Sequence, residues 1–312
     1  PGVRAVLGNA AKSAWPQLLP RLLTAAPPQV VVPDWPPGRE LAPLSLTSFP
    51  GHSRAFLKIQ DGCEQYCRYC IVPQVRGPER SLPVGAVLEQ ARRFVAAGHR
   101  ELVLTGINLG RYGRERQEGL DLAGLIRQLR QADLPGRWRL SSLEPQELSE
   151  AFLRELAAWP AFCPHFHLPL QSGSPAVLAN MGRDYQPAWF AELILDLSRR
   201  FPDAALGLDI LVGFPTESEA DFLQTLSLVE SLPVAYLHVF PYSPRPGTPA
   251  AALPQNLSPT TVKARAQRLR ELSQRKRQAF AARNLQRELT VLVEGVVPGR
   301  PGWLQGLSAN YL

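Results

Sequence analysis

Three of the chain's four cysteines, Cys63, Cys67 and Cys70, sit in one loop with the spacing C-x3-C-x2-C, directly after an apolar run over residues 55–59 that reads as a buried strand. A structural zinc site closes with four ligands, whereas a centre that handles a substrate leaves one position open. No fourth cysteine and no histidine stands inside residues 58–78: His52 and His99 lie outside that stretch and Cys163 is far along the chain. Three soft thiolates suit an iron–sulfur cluster in which three cysteines hold three irons and the fourth iron is free for a substrate. A structural zinc completed by a remote side chain is the alternative. Clustered cysteines of this kind fit reduced, metal-ligating thiols in the cytoplasm rather than a disulfide frame.

What surrounds the loop is a pattern of short apolar runs alternating with amphipathic stretches, which predicts an α/β fold built from βαβ units on parallel strands. The candidate strands are 55–59, 101–105, 138–141, 165–168, 206–212 and 236–240. The candidate helices are 83–97, 120–131, 149–159, 187–200 and 217–232. Six strands with helices between them predict a partial six-repeat (β/α) barrel over residues 54–254. Residues 1–26 read as a strand, a turn and a helix, the tail of a preceding α/β domain. Residues 27–53, rich in proline, read as an extended linker. Residues 255–286 form a long basic helix that would carry the chain away from the barrel. Residues 287–312 read as two strands, the second running over 302–312 and stopping without a turn. No apolar run approaches the ~18 residues of a membrane span, and nothing at the start suggests secretion.

Polar and glycine-containing strings recur at the C-terminal ends of these strands, where barrel enzymes place their sites. After the second strand come Thr105, Gly106 and Asn108; a glycine there lets backbone approach a ligand, and Asn108 accepts from an ammonium. The third strand ends at Ser141 with Glu144 beyond it. The fourth brings His167 and Gln171 to the barrel mouth, followed by Arg183, a planar fork for a carboxylate. Asp209 interrupts the apolar fifth strand, so its carboxylate must find donors.

The cysteine loop resembles the signature of the radical S-adenosylmethionine enzymes. The strings TGINLGRYG, SSLEP, HFHLPLQSG, MGRDY, LDILVGFPTE and HVFPYSPRPGT resemble the methylthiotransferase branch of that superfamily. The resemblance implies that Cys63, Cys67 and Cys70 hold a 4Fe-4S cluster whose unique iron chelates S-adenosylmethionine. The implied cofactor-binding residues are Tyr69, Thr105, Gly106, Asn108, Ser141, Glu144, Gln171, Arg183 and Asp209, with a ribose hydroxyl as partner for Asp209. It implies reductive cleavage of the cofactor, with a flavodoxin or ferredoxin as electron donor, and insertion of sulfur and a methyl group into an unreactive C–H bond. Complete members carry a second 4Fe-4S cluster on three further cysteines; this sequence lacks those ligands, since only Cys163 remains. Residues 287–312 resemble the start of a TRAM domain, a small RNA-binding β-barrel.

LTGINLGRYG resembles the members that act on threonylcarbamoyl-adenosine in tRNA; the alternatives are isopentenyl-adenosine in tRNA and an aspartate of a ribosomal protein. Charge agrees with tRNA as partner of a cytoplasmic monomer. The formal charge is +7, and residues 263–288 carry nine cations against two acids, so the remainder sums to zero. Arg268, Arg275, Lys276 and Arg277 are the expected RNA-facing residues. The rival of another class is a non-catalytic RNA-binding protein whose cysteines hold zinc.

Overall fold

The structure is a computed structural model that describes residues 2–24, 27–34, 41–43, 46–116 and 119–312. Strand β1 (Ala5–Leu7), helix α1 (Trp15–Thr24) and strand β2 (Gln29–Val31) make a small parallel βαβ unit. Strand β2 lies at the start of the segment 27–53 that reads as an extended linker. Its Gln-Val-Val run is β-branched and stops short of Pro33, so it can pair. Parts of that segment, 35–40 and 44–45, lie outside the described residues.

Strand β3 (Arg54–Lys58) leads into β4 (Gln60–Asp61), the cysteine loop, helix α2 (Val72–Arg76) and β5 (Arg80–Ser81), which pairs antiparallel with β4. Helix α3 (Val84–Ala96), β6 (Glu101–Thr105), α4 (Leu122–Gln131) and β7 (Arg137–Leu140) follow, and β3, β6 and β7 form a parallel sheet in that order. After α5 (Glu150–Ala157) come β8 (His165–Gln171), α6 (Pro175–Met181), α7 (Pro187–Arg200), β9 (Ala205–Val212), α8 (Glu219–Ser231) and β10 (Tyr236–Pro241). Strands β8, β9 and β10 make the second parallel sheet.

The two sheets meet at one seam. Trp138 N donates to Ala161 O, Cys163 N to Trp138 O and Leu143 N to His167 O, at 2.7–2.9 Å. The six strands thus run in chain order round a partial barrel, and among the described residues its outer edges, β3 and β10, are not paired with each other. One face carries Leu57, Leu104, Leu140, Leu168 and Leu208 against the helices, which contribute Phe94, Ile126, Ile194 and Phe222. Each such side chain, taken fully out of water, contributes roughly 1.5–3 kcal/mol. The predicted strands and helices stand within a few residues of their expected bounds; α6 is too short to give a periodic signal and has no counterpart among them. Helix starts are fixed by side chains: Ser149, Ser174, Ser218 and Ser258 each accept from a first-turn N–H.

Helix α9 (Pro259–Arg283) differs from its expectation. It does not leave the barrel. Ala266, Leu269, Leu272 and Phe280 form a buried stripe at helical spacing, and Ser273 Oγ accepts from Leu237 N at 2.8 Å, covering the free edge of β10. Arg265, 4% exposed, pairs with Glu217 at 2.7 Å and with Glu219 at 2.9 Å.

Strands β11 (Val291–Val296) and β12 (Leu304–Ser308) form an antiparallel hairpin. The expected strand over 302–312 ends early, because Ser308 turns the chain. Its hydroxyl meets Asn310 Oδ1 at 2.7 Å and accepts from Leu312 N at 2.8 Å. The hairpin sits on the N-terminal ends of the first sheet: Arg137 Nη2 donates to Leu307 O, Arg139 Nη1 to Ala309 O and Ser53 Oγ to Val293 O.

Candidate radical SAM site

The loop that carries the cysteines is held from four directions. Gly62 has φ +81°, and a Cβ there would stand 1.9 Å from Pro78 O, so the chain crosses itself at a point only glycine fits. Cys63 N donates to Gly77 O at 3.2 Å and Cys70 N to Cys67 O at 2.9 Å. Arg68 N donates to Met181 O at the end of α6, and Arg68 O accepts from Ala250 N beyond β10. Gln60 ties the loop to the next strand end: its Nε2 donates to Gly62 O and its Oε1 accepts from Asn108 N, both at 2.9 Å. Gln60 is not among the residues expected from the sequence, although a glutamine in an apolar run just before the loop is a readable signal.

All four cysteines are free thiols; Cys67 is buried while Cys63 and Cys70 are partly exposed. Burial, opposed by a backbone hydrogen bond and reinforced by the neighbouring sulfurs, pushes the Cys63 thiol up to about 11, and burial raises Cys70 in the same way. Ionising Cys63 and Cys70 is thus disfavoured here until a cation compensates them, as a metal centre would. Among the described residues, one group of three His, Cys, Asp or Glu has all its ligand atoms within 4.8 Å of one another, and it is His167, Asp209 and His238. The three sulfurs are therefore spread wider than the ~3.8 Å edge of a tetrahedral zinc–thiolate site built on 2.3 Å bonds, and no side chain closes them into one. Sulfurs that feel each other's charge without closing a tetrahedron suit a cubane cluster.

Around them the strand ends converge. Arg183, 4% exposed, lies with Nη2 2.5 Å and Nη1 3.1 Å from the two carboxylate oxygens of Glu144, and Nη1 also 3.5 Å from Cys67 Sγ. Nη2 further donates to Pro169 O, which also accepts from the Tyr185 hydroxyl. Tyr185 is a site residue that the sequence alone does not reveal. Burial opposes the guanidinium's charge, but Tyr185, Glu144 and Tyr69 together keep it protonated. Tyr69, between the second and third cysteines, packs with Val177, Met181 and Phe214. Gln171 ends β8 with φ +64°, a left-handed conformation unusual for a residue with a Cβ. Thr105 O accepts from Ile59 N, and Gly106 lies against the Gln60 side chain.

Three buried side-chain atoms in this set have no hydrogen-bond partner: Asn108 Oδ1, Ser141 Oγ and Arg183 Nε. They come from the ends of β6 and β7 and the segment after α6. Leaving such atoms dry costs roughly 1–3 kcal/mol each; Arg183 and Asn108 are bonded to the cysteine loop and Ser141 ends the neighbouring strand, which fits a polar ligand with both donors and acceptors, as S-adenosylmethionine has. Asp209 is in register with Pro169, whose carbonyl accepts from Arg183 and Tyr185. It also pairs in register with His238, and its Oδ1 lies 2.7 Å from His167 Nε2 and 3.5 Å from His238 Nδ1. Burial alone would raise its carboxyl, but the bonds from His167 and His238 prevail and hold it down at about 2. The donors it finds are imidazoles of the barrel interior.

Residues 57–229 match the model of the Radical SAM superfamily. A threonylcarbamoyladenosine tRNA methylthiotransferase, MtaB of Aquifex aeolicus, is 35% identical over 92% of this chain and 70% of its own length. The chain belongs to the radical SAM methylthiotransferases. The MtaB of Thermotoga maritima is also 35% identical, over 91% of this chain and 64% of its own length. A tRNA-2-methylthio-N(6)-dimethylallyladenosine synthase of Sphingopyxis alaskensis is 34% identical over 99% and 71%. Among solved structures, the radical S-adenosylmethionine methyltransferase TsrM of Kitasatospora setae superposes with a TM-score of 0.53 at 17% identity, covering 63% of this chain and 38% of that one. Methylornithine synthase PylB gives 0.51 at 14%, covering 70% and 62%. These two share the fold. For this radical SAM methylthiotransferase the family implies a 4Fe-4S cluster and S-adenosylmethionine, and the thiols and partnerless atoms fit both.

Of the cations expected to face RNA, Arg268, Arg275 and Arg277 are exposed and Lys276 is half-buried, and each also has a neighbour within the chain. Arg268 pairs with Glu219 and lies over the Phe222 ring, Arg275 pairs with Glu230, and Arg277 lies over Tyr236. Lys276 donates to Glu230 O and Leu232 O, both at 2.6 Å. Of the four, Lys276 ties α9 to the end of α8, while the three arginines keep solvent-exposed side chains. Lys263 and Arg270 instead line a cavity of about 370 Å³ with Gly213, Tyr242 and Asn256.

Proposed function

We propose that this chain carries the radical-generating site of a tRNA methylthiotransferase that acts at C2 of threonylcarbamoyl-adenosine. The observation behind the radical chemistry is the open trio Cys63, Cys67 and Cys70, with Arg183 and Asn108, each carrying a buried atom without a partner, bonded to the same loop. Relatives of the threonylcarbamoyl and dimethylallyl types match at 34–35%, so the choice of base is supported by the turn after β6, Gly106–Gly113 in LTGINLGRYG. When bound, the cluster and S-adenosylmethionine supply one-electron chemistry for a C–H bond that side-chain acids and bases do not activate.

The chain's own residues bind and orient. Arg183 Nε, Ser141 Oγ and Asn108 Oδ1 offer one donor and two further polar atoms to the cofactor's polar groups. Glu144 fixes the guanidinium beside Cys67, and Tyr69, Met181 and Phe214 keep that flank dry. A second cluster would need cysteines beyond these four, because Cys163 is fully buried in the core beside β7. Residues 1–312 by themselves are therefore expected to cleave S-adenosylmethionine without methylthiolating tRNA, with a flavodoxin or ferredoxin as electron donor. The test is nucleoside profiling of a deletion strain complemented with the full-length gene. Loss and return of the 2-methylthio form of threonylcarbamoyl-adenosine supports the assignment; unchanged tRNA nucleosides sink it.

A further inference from the structure

On the concave face of the second sheet, opposite the helices, five side chains from three adjacent strands form one bonded group. His165 Nε2 lies 2.7 Å and His167 Nδ1 3.0 Å from the Tyr236 hydroxyl; His167 Nε2 lies 2.7 Å from Asp209 Oδ1, and His238 Nδ1 3.5 Å from the same oxygen. The 4.6 Å separation of the His167 and His238 rings places both over Asp209. We propose that His167, Asp209 and His238 form a second metal site, for a divalent first-row transition ion of the zinc or iron(II) class, distinct from the cysteine loop.

The donor set is two imidazoles and one carboxylate, which selects borderline transition ions over calcium or magnesium. All three ligand atoms stand within 4.8 Å of one another. A tetrahedral ion with bonds of 2.0–2.1 Å needs ligand edges of about 3.3 Å. The His238 edge already suits that, and the His167 edge has to open by about half an ångström. The strands hold these positions rigidly, since Asp209 and His238 are partners in the ladder. The outer shell is also in place. With Nε2 on a metal, His167 carries its proton on Nδ1, where Tyr236 accepts it, and Tyr236 in turn donates to His165 Nε2. Tyr236 is itself held by its bonds to His165 and His167, and its ring lies 5.7 Å between centroids from Tyr311, which stacks on His165. His167 is buried, whereas the His238 side chain is 48% exposed and Asp209 20%. One side of the site is thus open to an entering ion and to further ligands, water or a polar group of a substrate in the barrel.

The probe is Co2+, added to metal-free full-length chain carrying Cys63→Ala, Cys67→Ala and Cys70→Ala so that the loop cannot take it. We expect one ion per chain by calorimetry, visible d–d absorption without sulfur charge transfer, and at least tenfold weaker binding once Asp209→Asn or His238→Ala is added. Absence of binding, or binding that survives both changes, overturns the site. Where the triple variant does not fold, the cluster-loaded protein is heated with and without Zn2+. A rise in melting temperature seen in wild type and lost in His238→Ala supports the site; equal shifts in the two overturn it. Neither readout depends on methylthiolation, so failure here is separable from failure of the proposed function.

Discussion

The Arg183 guanidinium grips both carboxylate oxygens of Glu144 and reaches Cys67 Sγ, so one buried cation links the segment after the third barrel strand to the cysteine loop. Removing the carboxylate leaves the charge buried and partly uncompensated. Glu144→Ala is therefore expected to cost about 3 kcal/mol, the low end for a broken buried pair because Glu144 keeps some solvent contact. Glu144→Gln, which keeps an acceptor, recovers much of it. Urea unfolding of the three proteins, with iron content measured alongside, checks this; equal stability of the Ala variant and wild type refutes it.

Gly62 is where the loop turns back under Pro78. Gly62→Ala places a methyl 1.9 Å from a carbonyl oxygen and forces φ +81° on a residue with a Cβ. The conformational part alone costs roughly 1–2 kcal/mol, and the clash must move backbone that positions Cys63. The expected outcome is reconstituted protein with less than half the wild-type iron and a lowered melting temperature. Gly98→Ala, also at positive φ but in open space, controls for the conformational term.

The six strands and the helices between them are readable because each apolar run is short, buried and bounded by turn residues, and the cysteine loop because its spacing is local. What escapes reading depends on contacts between distant positions. Lysine and arginine in α9 look like an exposed basic face in the sequence, but Arg265 and Lys276 are drawn into α8 by its acids and terminal carbonyls. Asp209 looks like a ligand for a ribose, and only the register of β9 with its neighbours shows the two imidazoles beside it. Tyr311 carries no signal at all, because its place on the His165 ring, 4.1 Å between centroids, follows from the turn after Ser308.

Cys163 behaves as a core residue with a pH signature. Burial pushes its thiol up to about 11 from 9.0, partly offset by Arg139. The folded chain keeps the proton that the unfolded chain releases above pH 9. Its contribution is constant below about pH 9 and is lost as pH climbs toward 11, by up to about 2.7 kcal/mol at 1.36 per unit. Cys163→Ala should remove that share of the alkaline decline. Unfolding free energies at pH 8 and 10.5 decide it: parallel declines in wild type and variant would show that the folded chain releases the proton as readily as the unfolded one and would refute the raised pKa.

Helix α9 carries two kinds of cation, and they should separate by experiment. Lys276 holds the last carbonyls of α8, so Lys276→Ala is expected to lower stability by about 1–3 kcal/mol, as for other bonds from a charged donor. Lys263 and Arg270 face a cavity beside Tyr242, whose buried hydroxyl has no partner, and neither makes an ion pair among the described residues. If that face holds tRNA phosphates, changing both to alanine leaves the melting temperature in place. It weakens tRNA binding across sequences and flattens the dependence of log K on log salt by about two, near one per lost contact. Filter binding between 50 and 300 mM salt reads the slope. An unchanged slope in this pair, with a reduced one for Arg275→Ala and Arg277→Ala, would move the RNA surface to those two arginines.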